Sequence, residues 1–146
     1  KTLGGGAQYD YARSGNPNRA LLEEKLAKLE GGSHAFAYAS GIAAISAVLL
    51  TLNAGDHVIL PDDVYGGTFR LTEDILKRFN IEFTTVDATN ADNIKNAIQS
   101  NTKLIYVETP SNPCFKVTDI QAVAENIAPN NTQGPCPQNP ILNQHF

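Results

Sequence analysis

Methionine is absent from the 146-residue chain, even at position 1, so the sequence is expected to be a fragment or processed piece. Cysteine is scarce. Cys114 and Cys136 are too few for a disulfide scaffold at this length, which makes a reducing cytoplasm the expected compartment. Basic residues are outnumbered, 11 Lys and Arg against 15 Asp and Glu, and they form no stripe. A nucleic-acid partner therefore has no electrostatic footprint here. The longest strongly apolar stretch, Ile42 to Leu52, is too short to cross a bilayer. Lys1-Thr-Leu-Gly-Gly-Gly6 has no apolar core, so no signal peptide is expected. His34, His57 and His145 are widely spaced and join no Cys or carboxylate cluster, so no metal site is expected. No Ser-His-Asp pattern or P-loop is present.

What is present fits a globular domain. Hydrophobic residues make up 42% and charged residues 18%, and the length suffices for one buried core. Residues 1–17, rich in Gly, Tyr, Arg and Pro, read as an extended arm. Asn18 is the expected cap of a helix to about Glu30, with Leu21, Leu22, Leu26 and Leu29 at helical spacing and Gly31-Gly32 ending it. Ala35–Tyr38 is a strand candidate, and Ile42–Leu52 reads as a helix buried on most sides. Asn53–Asp56 is a turn and His57–Leu60 a strand stopped by Pro61. Thr68–Phe79 reads as an amphipathic helix, Ile81–Val86 as a strand, and Ala91–Gln99 as a short helix. Leu104–Val107 reads as a strand, and Asp119 as the cap of a helix over Ile120–Ile127. Four alternations of strand and helix predict an α/β fold with a mostly parallel sheet between helices, over residues 18–128. Residues 129–146 hold four prolines and no apolar period, and are expected to be irregular.

Several polar loops fall where strands should end, the edge at which open α/β sheets bind ligands. Ser40-Gly41 precedes a helix whose first amides suit a phosphate; the alternative is a tight turn with Ser40 as a plain N-cap. Tyr65, followed by two glycines, has a ring free to lie on a planar ligand or to pack on a neighbour. Arg70, expected on the first helical turn, is an anion ligand or a solvated surface cation. Asn112, framed by Pro110 and Pro113, offers a fixed amide to a ligand or closes its own Asx-turn. Glu108 either orients its loop or sits in solvent. Tyr11 and Arg13, two apart in an extended arm, would point to the same side and bind a phosphate together; the alternative is a disordered tail.

Tyr9-Asp-Tyr-Ala-Arg-Ser-Gly-Asn-Pro-Asn-Arg19 and Leu29-Glu-Gly-Gly32 resemble the opening signature of the cystathionine γ-synthase/γ-lyase family of pyridoxal phosphate enzymes. Ala39-Ser-Gly-Ile-Ala-Ala44, Asp62-Asp-Val-Tyr-Gly-Gly-Thr68 and Glu108-Thr-Pro-Ser-Asn-Pro113 follow in that family's order and spacing. The resemblance covers about residues 1–128. It implies a partial large domain of the aspartate aminotransferase-like type, with pyridoxal 5'-phosphate as cofactor. It further implies sulfur amino-acid substrates such as cystathionine, and a homo-oligomeric, tetrameric parent enzyme. By resemblance, Tyr11 and Arg13 would bind the cofactor phosphate of a neighbouring subunit, and Ser40, Gly41 and Ile42 that of their own. Tyr65 would stack on the pyridine ring and assist proton transfer. Arg70 would lie near the substrate entrance, and Asn112 would contact the ring hydroxyl and the substrate carboxylate.

Other parts of the family pattern have no clean counterpart. Asn130-Asn-Thr-Gln133 and Gln138-Asn-Pro140 resemble a damaged Asp-Asn-Thr stretch, with Asn130 where the family's Asp pairs with the pyridine nitrogen. The family's Schiff-base lysine has no equivalent. The lysines present are expected in the arm, on helices or at strand starts. The chain alone is therefore expected to be inactive. A non-catalytic remnant that binds phosphate or partner subunits, or an unrelated α/β ligand-binding module, are the competing readings.

Overall fold

A computed structural model of the chain describes Tyr9 and residues 11–127. The described residues fall into two compact units, divided between Ser40 and Gly41. The expected tail at 129–146, with its Asn130 and Gln138 segments, lies outside the described residues.

The first unit is built on helix α1, Pro17–Leu29. Its cap is Asn16, not Asn18. The Asn16 side chain accepts from the amides of Asn18 (2.9 Å) and Arg19 (3.4 Å). Pro17 explains the shift, because a proline has no N–H to satisfy and its fixed φ suits the first helical position. Gly31 leaves the helix at φ 66°, a left-handed conformation that glycine adopts without penalty. Residues 11–15 are not an extended arm. The amides of Ser14 and Gly15 both bond back to the Tyr11 carbonyl, which closes a turn. The strand expected at Ala35–Tyr38 is absent as well. Its Ala37 amide donates to the Glu23 carboxylate (2.9 Å), a side-chain partner in place of a ladder.

The second unit carries a parallel sheet of three strands in the order β2-β1-β3. These are β1, His57–Pro61; β2, Glu82–Val86; and β3, Thr102–Ile105. Central β1 is buried along its whole length, as its run of His-Val-Ile-Leu-Pro requires. The pairing outlasts β3 itself, since the Tyr106 amide donates to Ile59 (2.9 Å). The four expected alternations thus reduce to three strands among the described residues.

Period-two alternation divides the core between the two faces of the sheet. Val58, Leu60, Leu104 and Tyr106 pack on one face with Ile45 and Leu49 of helix α2, Gly41–Leu49. Ile59 and Val107 pack on the other with Ile94 and Val123. Those two residues belong to α4, Ala91–Asn96, and α5, Ile120–Ile127. Helix α2 was expected to be buried on most sides. Only Ile45 and Leu49 are, and Leu50 just after it is exposed.

After β1 the chain enters α3, Gly66–Arg70, two residues earlier than the apolar period suggests. It continues as a π-helical turn, Leu71–Ile75, and a 3-10 turn, Leu76–Phe79, in place of one amphipathic helix. The Thr72 hydroxyl bonds back to the carbonyls of Thr68 (3.1 Å) and Phe69 (2.9 Å) where the helix widens. Asp119 caps α5 as expected, accepting from the Ala122 amide (3.0 Å). No helix among the described residues is long and apolar enough to cross a membrane.

Candidate functional site

The carboxyl ends of β1, β2 and β3 are laced together by carboxylates. Glu108, just past β3, is only 8% exposed and accepts three hydrogen bonds. Its Oε2 takes the Tyr65 amide (2.9 Å), and its Oε1 takes the hydroxyls of Tyr106 (2.8 Å) and Thr68 (3.3 Å). Glu108 therefore orients the loop after β1 and does not sit in solvent. Burial, followed by the adjacent Glu108 charge, pushes the Tyr106 phenol far above its ordinary value of 10.0, so it stays a donor.

A second tie runs from Asp63, whose Oδ2 accepts from the Ser111 hydroxyl and from the Cys114 amide. The Ser111 bond first, with the Cys114 amide, holds the Asp63 carboxyl below its usual range. The same charge pushes the Cys114 thiol up. A third tie is Lys116, whose ammonium lies 2.9 Å from Asp62 and 3.6 Å from Asp87. It thus bridges the loops after β1 and β2 from the segment after β3. The Thr109–Pro110 and Asn112–Pro113 bonds are cis.

This scaffold brings Tyr65 and Asn112 to one edge. The Tyr65 side chain is 42% exposed and its backbone immediately precedes α3. Its ring covers Gly67, where any Cβ would overlap Cε1 and fall 3.0 Å from Cδ1 and 3.1 Å from Cζ. Asn112 is exposed, and its side-chain amide has no hydrogen-bond partner among the described residues. The turn is closed by Ser111 instead, whose hydroxyl accepts from the Lys116 amide (2.9 Å). Arg70 ends α3 and so lies a turn further on than expected. Its guanidinium reaches back to Gly66, 3.4 Å from where a Cβ there would stand. It has no ion-pair partner among the described residues. Gly41 and Ile42 open α2, where the first amides have no acceptor within the helix.

Ser40, Tyr11 and Arg13 belong to the first unit. Tyr11 and Arg13 share a side, but through a turn: the guanidinium lies 5.0 Å from the ring centroid. Arg19 supports that turn, donating to the carbonyls of Arg13 (3.4 Å) and Ser14 (3.2 Å).

Sequence reasoning missed Asp63, Ser111 and Lys116. Two adjacent acids directly after a strand were the available signal, since a charge pair there needs partners. Lys116 also corrects the expected placement of the lysines. It sits at the strand-end edge, but Asp62 and then Asp87 raise its pKa and keep it an ammonium.

Residues 2–133 match the model of the Cys/Met metabolism PLP-dependent enzyme family. The chain belongs to that family, whose cofactor is pyridoxal phosphate. It is 82% identical over 124 residues to cystathionine beta-lyase MetC of Staphylococcus haemolyticus (strain JCSC1435), a match covering 85% of this chain and 32% of that protein. Cystathionine gamma-lyase of Bacillus subtilis (strain 168) is 48% identical over 117 residues, 80% of this chain and 31% of that one. Among solved structures, cystathionine gamma-lyase from Lactobacillus plantarum complexed with L-serine superimposes with a TM-score of 0.83 at 45% identity. That match covers 98% of this chain and 35% of the other. The chain spans about a third of the length of these relatives. The three-stranded parallel sheet with its helices is accordingly part of their α/β fold.

Proposed function

We propose that this chain carries the ring-stacking and phosphate-binding part of the cofactor site of a pyridoxal phosphate enzyme. That enzyme would cleave or replace a carbon–sulfur bond in a sulfur amino acid such as cystathionine. The observation that carries the reading is the lacing of two strand-end loops, which brings to one sheet edge an exposed Tyr65 and an Asn112 amide with no hydrogen-bond partner among the described residues. The 82% identity to a beta-lyase supports that reaction over its relatives.

The residues present fit the cofactor. Tyr65 offers a ring face, Asn112 a donor and acceptor for ring substituents, and Gly41 with Ile42 backbone amides for a phosphate. Arg70, with no ion-pair partner among the described residues, is a candidate cation for a substrate carboxylate. Tyr11 and Arg13 present a phenol and a guanidinium together, a phosphate-binding pair offered to a neighbouring subunit of a homo-oligomer. When bound, pyridoxal phosphate supplies an electron-withdrawing ring that stabilises negative charge at the substrate's α-carbon. Tyr65 would then be the group that carries a proton.

Turnover also needs an unprotonated lysine amine at the cofactor. Lys116, at this sheet edge, is committed to two aspartates; Lys25 and Lys28 lie on α1, Lys77 pairs with Glu73, Lys95 lies on α4 and Lys103 at the start of β3. The chain alone should therefore bind the cofactor weakly and turn over nothing. Purified chain, titrated with pyridoxal phosphate and given cystathionine, tests this by equilibrium dialysis and by keto-acid release. Saturable binding without turnover is the expected result. Turnover with one stoichiometric lysine adduct would refute the reading of this chain as incomplete.

A further inference from the structure

Every aromatic that stacks on a ligand must first be held at one height and tilt, and the structure shows what holds Tyr65. Its amide is tied to a carboxylate that is itself buried and shared with two hydroxyls. Its ring rests on a glycine that has no room for a side chain beneath it. We propose that Glu108 and Gly67 form a two-point clamp on Tyr65, with Glu108 as a positioning residue for the backbone and Gly67 as the seat of the ring.

The assignment rests on three features. Glu108 is over-determined: three donors converge on its two oxygens, so it cannot turn without stranding a buried hydroxyl. Tyr65 itself makes no side-chain cap to α3, so its ring geometry comes from what lies under it and not from a bond of its own. Gly67 occupies the second position of α3, where alanine would be the better helix former. A glycine there has no left-handed φ to justify it. Room for the ring is the remaining physical reason for it. What the ring then meets, the pyridine of the cofactor, rests on the function proposed above.

The clamp is tested apart from activity. In the full chain, NMR should show Gly67 α-protons shifted upfield by the Tyr65 ring, and cross-peaks between the two. Gly67→Ala removes the seat while favouring the helix, so it should stay folded, lose the Tyr65 ring shifts, and bind pyridoxine 5'-phosphate about three- to tenfold more weakly. This aldehyde-free probe needs no lysine. Glu108→Gln keeps one acceptor oxygen. It should speed hydrogen exchange of the Tyr65 amide and broaden its ring signals, even where the melting temperature barely changes. Unchanged Tyr65 ring signals in Gly67→Ala, or equal probe binding, would overturn the clamp. A wild-type chain that shows the ring contact but never saturates with the probe would overturn the cofactor reading and leave the clamp standing.

Discussion

The same three strands carry a buried polar hub at each end, and the two hubs differ in whom they serve. At the amino end His57 is 1% exposed, with Nδ1 2.8 Å from the Thr102 hydroxyl and Nε2 2.8 Å from that of Thr84. Gln99 donates its side-chain amide to Nε2 (3.3 Å). All these partners are side chains of the sheet and its flanks. At the carboxyl end Glu108 also satisfies two hydroxyls, but its remaining bond goes to the backbone of Tyr65, an exposed aromatic. One hub closes the sheet upon itself. The other spends a bond on presenting a residue to solvent, at the end where the cofactor site is proposed.

The largest effect should come from breaking the carboxyl-end hub. Glu108→Leu would strand a buried phenol, a buried threonine hydroxyl and a backbone amide at once. With each unpaired donor costing about 1–3 kcal/mol, the loss should be about 3 kcal/mol or more in urea melts. His57→Leu at the other end should cost less, about 1–2 kcal/mol. The hydroxyls it deserts belong to half-buried threonines that water can reach, and leucine restores apolar burial. Equal losses would show that the two hubs are alike and that the contrast has no energetic basis.

The pH dependence sharpens the comparison. Burial lowers the His57 pKa from 6.5, and the Glu82 charge only partly opposes it. The geometry agrees. Protonation would set an N–H against the Gln99 amide donor. Because the folded pKa is depressed, the unfolded chain binds the proton more readily. Stability is then full above about pH 6.5 and falls as the pH drops towards the folded pKa. Asp63 and Asp87, also depressed, act separately below 3.8. Urea midpoints measured from pH 7.5 to 5 should decline in the wild type and stay flatter in His57→Leu. A parallel decline in both would assign the titration elsewhere.

Much of the fold was legible because period and punctuation agreed. His57–Leu60 stops near Pro61, and Asp119 precedes an apolar stripe with Ile120, Val123 and Ile127. The errors fell where a tertiary partner decides. Ala35–Tyr38 has strand composition, but Glu23, distant in sequence, takes its central amide. Asn18 looked like the cap until Pro17 moved the helix start. The proposed site residues could be read as motif positions, but the contacts that support them in the fold could not. Nothing local in the sequence says that Asp63 will meet Ser111 and Cys114, 48 and 51 residues further on. Nor could composition decide whether Glu108 faces solvent.

The smallest expected effect concerns Lys116, the lysine that shares the carboxyl-end edge with Glu108. Its ammonium is held by Asp62 on both oxygens and approached by Asp87, and its pKa is raised for that reason. Since only the free amine attacks an aldehyde, Lys116 should react with pyridoxal phosphate more slowly than Lys25 and Lys95, which are exposed and have no ion-pair partner among the described residues. Borohydride trapping at pH 8 followed by peptide mapping should therefore find Lys116 under-labelled. Asp62→Asn removes the nearer carboxylate and should raise its labelling severalfold towards that of the other lysines, while the exposed position of the pair leaves stability almost unchanged. Preferential labelling of Lys116 in the wild type would mean that the carboxyl-end loops supply a reactive amine. The carboxyl end would then present both a ring and a nucleophile, and the contrast with the His57 end would be sharper than proposed.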